Sequence, residues 1–161
     1  MNLFLPSLAR WSDLTLLGLR ALTGAFLMHE TWDNVSSRAR MGEFVQFLDQ
    51  FGFPVPWLLA PLSVAVQFGC GALLIAGLLT RVAGLLIAAN FVVAVAMVHW
   101  GQPFRDWWPA IVLVFLGLHF GLRGGGRWSL DSLLLRDRDP QVSGNLPSAS
   151  PMAASSTESR P

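Results

Sequence analysis

The chain has 161 residues, of which 53% are hydrophobic and 13% charged, and its net charge is +1. Soluble domains carry about 25% charged residues, so this composition favours a membrane protein, and the small net charge gives no reason to expect nucleic-acid binding. The single cysteine, Cys70, excludes an intrachain disulfide, and no Cys/His spacing is typical of a metal site.

Four apolar runs follow one another along the chain, each about long enough to cross a bilayer as a helix. We expect spans at residues 12–31, 57–79, 82–100 and 107–123. All seven tryptophans stand at the edges of these runs, and indole is typical of the membrane–water interface. The pattern predicts an all-α fold, an integral membrane four-helix bundle whose first partner is the lipid bilayer.

An amphipathic segment separates the first two spans. Residues 38–56 carry Phe44, Phe47 and Phe51 at helical spacing, interleaved with acidic and amide side chains. This periodicity is typical of a helix that lies on the membrane surface. We therefore expect an interfacial helix between the first and second spans.

The C-terminal part of the chain changes composition. Three glycines at 124–126 interrupt the last helix, and residues 139–161 are rich in Pro, Ser and Ala without an apolar period. Such a composition is typical of disorder. We expect one transmembrane domain over residues 1–138 and a disordered cytoplasmic tail over residues 139–161.

The arginines set the orientation of the four predicted spans. One side carries six: Arg10, Arg81, Arg123, Arg127, Arg136 and Arg138. The other side carries three arginines and most of the acidic loop residues: Arg38, Arg40 and Arg105, with Glu30, Asp33, Glu43, Asp49 and Asp106. The positive-inside rule then places both termini in the cytoplasm, and we expect a bacterial inner-membrane protein.

Three polar residues lie inside the predicted spans. Arg20 is the most costly, since arginine at a helix centre opposes insertion by about 2.5–3.5 kcal/mol. Its helical phase places it on the arc of small and polar residues, and Gln67 and Asn90 lie on similar arcs of the next two spans. We interpret Arg20 as facing inward rather than snorkelling. We predict one buried polar cluster of Arg20, Gln67 and Asn90, and a helix-gluing role is the alternative for the two amides.

Two histidines mark the outer face and are weaker candidates for a site. His29 lies about half a helical turn from Arg20, and His99 about half a turn from Asn90, so both should point away from the bundle centre. His29-Glu30 resembles the start of a metalloprotease helix but lacks the second histidine. We interpret His29, Glu30 and His99 as outer-face residues and expect no metal site.

Four motifs in order resemble the DoxX family of small membrane proteins. They are Arg20–His29 with Gly24 and Phe26, Gln67–Arg81 with its glycines, Met97–His99, and Gly124–Asp131 with its Ser-Leu-Asp. The chain departs from the family where Glu30 and Asp33 replace a common glycine and lysine, and where Gln67 replaces a common glutamate. An amide cannot exchange protons, so the family's acid is missing at Gln67.

The resemblance implies a four-helix inner-membrane protein, and some relatives take part in quinone-linked sulfur oxidation. We expect a non-catalytic subunit or accessory factor of a membrane redox or stress-related assembly, with other membrane or redox proteins or a second copy of the chain as partners. The alternative is a quinone-linked oxidoreductase component that binds a quinone near Arg20, Gln67 and Asn90. The residues show no other cofactor and leave catalytic groups, and enzyme activity itself, open.

Overall fold

The computed structural model describes residues 11–136, and the expected tail at 139–161 lies outside them. All regular secondary structure in the described part is helical. The elements are α1 (Ser12–Ser36), α2 (Arg38–Gln50), α3 (Pro56–Ala76), α4 (Thr80–Ala94) with a π-helical turn (Val95–His99), α5 (Phe104–Arg123) and α6 (Leu130–Arg136).

The helices follow the predicted order, and the differences lie at their ends. α1 runs five residues beyond the expected limit at 31, and α2 begins directly after Ser37, whose hydroxyl accepts from Arg40 N at 3.4 Å. The expected spans left residues 80–81 between α3 and α4, but the turn is Gly77–Leu79, because Gly77 adopts φ 69° and ends α3. A left-handed glycine after the last turn is a common helix stop.

Two close helix crossings build the bundle. α1 packs mainly on α3 and α4 mainly on α5. At the first crossing, a Cβ on Gly24 would overlap the main-chain oxygen of Gly71. At the second, a Cβ on Gly84 would lie 2.6 Å from the main-chain oxygen of Gly117. Small residues that let two backbones touch are typical of helix association in membranes.

The core lies between the two helix pairs, and the outside of the bundle is apolar. Buried residues from four helices form one cluster: Leu16, Leu27, Cys70, Leu74, Ala83, Ile87, Leu113 and Phe120. Large apolar side chains also point outward, among them Leu22 (71% exposed), Phe115 (68%) and Leu122 (76%). Soluble monomers rarely expose so much contiguous apolar surface.

Within residues 11–136, two helices are long and apolar enough to cross a membrane: Pro56–Ala76 and Thr80–His99. The 21 residues of α3 extend about 31 Å, which is the thickness of a bilayer's hydrocarbon core. We call the end of the bundle with the Gly77–Leu79 turn the α3–α4 end, and the opposite end, which carries α2 and the loop between α4 and α5, the α2 end.

Candidate ligand-binding site

A cavity of about 550 Å³ lies between α2, α3 and α4. Phe44 and Phe47 of α2 and Phe53 of the following loop form its aromatic wall, and aliphatic side chains of α3 and α4 form most of the rest. Four polar side chains line it: Ser63, Gln67, Asn90 and His99. An apolar cavity of a few hundred cubic ångströms with few polar groups is typical of small-molecule sites.

Gln67 and Asn90 are joined through Ser63. Gln67 Nε2 donates to Ser63 Oγ at 3.1 Å, and Ser63 Oγ donates to Asn90 Oδ1 at 2.9 Å. Among the described residues, Asn90 Nδ2 and Gln67 Oε1 have no protein hydrogen-bond partner. The cavity therefore offers a ligand one amide donor and one amide acceptor side by side. A ligand hydroxyl can pair with both groups, and a ligand carbonyl can pair with the donor.

His99 lines the same cavity as Asn90, so the expectation that it points elsewhere is wrong. The reason is the π-helical turn Val95–His99, which includes one residue more than an α-helical turn. Each residue advances an α-helix by about 100°, so the extra residue rotates His99 by roughly a quarter turn toward Asn90. His99 Nδ1 lies 3.0 Å from Gln102 Oε1 of the next loop. Single π-helical turns occur frequently at functional sites.

Arg20 is not part of this group, and the prediction of a single cluster of three is wrong in that respect. Arg20 is fully buried, so the inward orientation is confirmed, but its Nη2 donates to the main-chain oxygen of Trp128 at 2.8 Å. A Cβ on Gly77 would overlap its Nη1. Gly77 follows Gln67 by ten residues, about 15 Å along the chain axis, so Arg20 occupies the α3–α4 end instead.

Asp131 completes the α3–α4 end. Its two carboxylate oxygens accept from Leu79 N at 2.7 Å and Thr80 N at 2.9 Å, and its own amide donates to Gly77 O at 3.0 Å. The carboxylate thus caps the N-terminus of α4, where a negative charge is favourable. Arg20 lies at the C-terminus of α3, where a positive charge is favourable. We call residues 124–131 the closing segment, because they cover this end of the bundle.

The outer residues of α1 lie outside the cavity. His29 and Glu30 are exposed, and neither lines it. On α2, Arg40 Nη1 donates to Glu43 Oε2 at 2.9 Å, and this hydrogen bond raises the pKa of Arg40. Within residues 11–136, no three His, Cys, Asp or Glu side chains form a group that could hold a metal ion.

Sequence reasoning missed three kinds of site residue. Ser63 precedes Gln67 by one helical turn and shares its arc, so its role as a bridge had a signal in the sequence. The aromatic residues of α2 had a helical period but were interpreted only as a membrane-facing stripe. Gln102 had no signal, because its contact with His99 depends on the π-helical turn.

Membrane-length helices, glycine-mediated crossings and an apolar exterior define an α-helical membrane protein. Residues 15–100 match the DoxX family model, and they make up more than half of the chain. The chain therefore belongs to the DoxX family. The matched region contains Arg20, Gln67, Asn90 and His99, and it ends before α5 and the closing segment. The comparisons find no match among curated proteins or solved structures.

Proposed function

We propose that α1, α3, α4 with its π-helical turn, and α5 all cross the membrane as a four-helix bundle. α1 and α5 have 25 and 20 residues, about 37 Å and 30 Å, and they carry the exposed Leu22, Phe115 and Leu122. Arg20 does not oppose this arrangement, because it is buried inside the protein and not exposed to lipid.

We place the α3–α4 end in the cytoplasm of a bacterial inner membrane. Arg81, Arg123 and Arg127 lie in or beside the connections at this end, and the positive-inside rule favours the cytoplasm for such a cluster. α2 then lies at the outer interface. Its exposed Arg40–Glu43 pair faces water while Phe44 and Phe47 face the cavity.

We propose that the cavity binds a lipid-soluble carbonyl compound of the quinone class. The observation that supports this is the Ser63–Gln67–Asn90 hydrogen-bond chain in an otherwise apolar cavity. Amide groups without partners are costly in apolar surroundings, so a ligand oxygen would be stabilised there. Quinones reach such a site through the hydrocarbon phase. Arg20 has no part in this site, since its guanidinium lies at the other end.

The role that fits this site is a quinone-binding subunit of a membrane redox assembly, with electron transfer carried by partner proteins. An accessory factor that only organises partners would need no such cavity. The cavity therefore favours a subunit that binds a ligand over a subunit with a purely structural role.

The test is purification of the full chain from native membranes in mild detergent, with mass spectrometry of bound quinones and bound proteins. Ala94 lines the cavity and Ala72 is exposed on α3, so Ala94→Phe fills the site while Ala72→Phe adds the same ring outside it. We expect quinone with the wild type and with Ala72→Phe, and a several-fold loss with Ala94→Phe. Equal quinone content in all three would contradict the proposal.

A further inference from the structure

The hydrogen bond between His99 and Gln102 fixes which nitrogen of the imidazole carries hydrogen. His99 Nδ1 lies 3.0 Å from Gln102 Oε1, and an amide oxygen can only accept. Nδ1 is therefore the donor in the neutral ring. The other nitrogen, Nε2, is left with a lone pair and acts as an acceptor.

The cavity is consequently lined by two different polar groups of one helix. Asn90 supplies a donor, Nδ2, and His99 supplies an acceptor, Nε2. The two residues are nine positions apart, about 13 Å along the helix axis. A 1,4-benzoquinone or its quinol carries oxygens at opposite positions of a six-membered ring. The ring, its two oxygens and a hydrogen bond of about 2.8 Å at each oxygen together span a length of the same order as this separation. Apolar side chains line the space between.

We propose that His99 makes the cavity selective for the reduced, quinol form of the ligand; this inference rests on the proposed quinone site. A quinol hydroxyl donates to His99 Nε2, whereas a quinone carbonyl has no hydrogen to donate and leaves that lone pair without a partner. At the amides both forms accept from Asn90 Nδ2, and a quinol hydroxyl can in addition donate to Gln67 Oε1. Asn90 therefore contributes to affinity for both forms, and His99 adds to the difference between them.

The experiment measures binding of a short-chain 1,4-benzoquinone and of the corresponding quinol to the full chain in detergent, by anaerobic titration calorimetry. The buffer is the same for all variants, and protein-free micelles give the blank. We expect the wild type to prefer the quinol. His99→Ala should lower the ratio of quinol to quinone affinity by about 2- to 10-fold, the effect of one hydrogen bond.

Two further variants separate this role from a structural one. Gln102→Leu leaves His99 in place but removes the partner that fixes its tautomer, so the ratio should fall here as well. His29→Ala removes an exposed histidine outside the cavity and should keep the wild-type ratio. Thermal unfolding of each variant shows whether the fold is retained.

The outcomes distinguish this inference from the proposed function. A wild type that binds neither form would overturn the proposed function and the inference with it. A wild type that binds both forms, with the same affinity ratio after His99→Ala and Gln102→Leu, would leave the quinone site standing and overturn the role of His99. A fall in the ratio for both variants supports it.

Discussion

Arg20 Nη2 donates to the main-chain oxygen of Trp128 at 2.8 Å, which ties the first helix to a residue 108 positions later. The guanidinium of Arg20 therefore binds the closing segment and does not line the cavity. The bundle has one polar group at the α3–α4 end, built on Arg20 and Asp131, and a second that lines the cavity, built on Ser63, Gln67 and Asn90. Substitutions in the two groups should have different effects.

Arg20→Ala should destabilise the closing segment. The substitution removes the donor to Trp128 O and leaves a cavity, and we expect a loss of about 2–4 kcal/mol in the free energy of unfolding. Trypsin should cut after Arg127 faster than in the wild type. Arg105→Ala, an exposed arginine at the α2 end, is the control. An unchanged cleavage rate in Arg20→Ala would show that this hydrogen bond does not hold the segment.

Asp131→Ala should remove the cap of α4. Leu79 N and Thr80 N would both lose their acceptor. Loss of a helix N-cap lowers the free energy of unfolding by about 0.5–2 kcal/mol. Asp131→Asn keeps one acceptor oxygen and should cost less. Because Asp131 and Arg20 hold the same segment, thermal unfolding of the double variant should show less than the sum of the two single losses. Full additivity would mean that the two contacts act independently.

Much of the fold followed from the sequence because membrane helices have strong signals. The apolar runs gave the order of the long helices, and the period of Phe44 and Phe47 gave α2. The end of α1 was placed too early because Ser36 and its polar neighbours do not oppose a helix outside the hydrocarbon region. α6 was not predicted, since no apolar run of membrane length marks it.

The site was predictable only in part. A regular period of 3.6 residues correctly placed Gln67 and Asn90 on facing arcs. The same period failed for His99, because a π-helical turn changes the phase and has no reliable sequence signal. Arg20 was grouped with the amides because its helical phase matched theirs. Its partners lie in the closing segment, and pairing across 108 positions cannot be derived from helical phase.

Gly84→Ala should weaken the crossing of α4 and α5. The added Cβ would lie 2.6 Å from Gly117 O and 2.6 Å from Gly121 N, so the helices would have to separate, at a cost of about 1–3 kcal/mol. Gly69→Ala is the matched control, because its Cβ would meet nothing within 4 Å. At position 69, the higher helix propensity of alanine should raise the free energy of unfolding by about 0.5–1 kcal/mol. The measurement is the melting temperature of each variant in detergent. A shift in the same direction for both variants would contradict this assignment.

Ser63→Ala should weaken binding of both the quinone and the quinol. Gln67 Nε2 would lose its acceptor and Asn90 Oδ1 its donor, so both amides would be free to rotate away from the ligand. We expect affinity for both forms to fall by about 2- to 10-fold, as measured by titration calorimetry. Ser63→Thr keeps the hydroxyl and should retain more affinity than Ser63→Ala. Equal affinity in the wild type and Ser63→Ala would show that the hydrogen-bond chain does not position the amides.

Deletion of Ala96 should convert the π-helical turn into a regular α-helix. The residue is exposed, and its removal takes out the one extra position of Val95–His99, which would rotate His99 away from Asn90 by roughly a quarter turn. The quinol preference should then fall to the level of His99→Ala. Adding His99→Ala to the deletion should change the affinity ratio no further, because the imidazole has already left the cavity. If the deletion variant still responds fully to His99→Ala, the π-helical turn is not what orients this histidine.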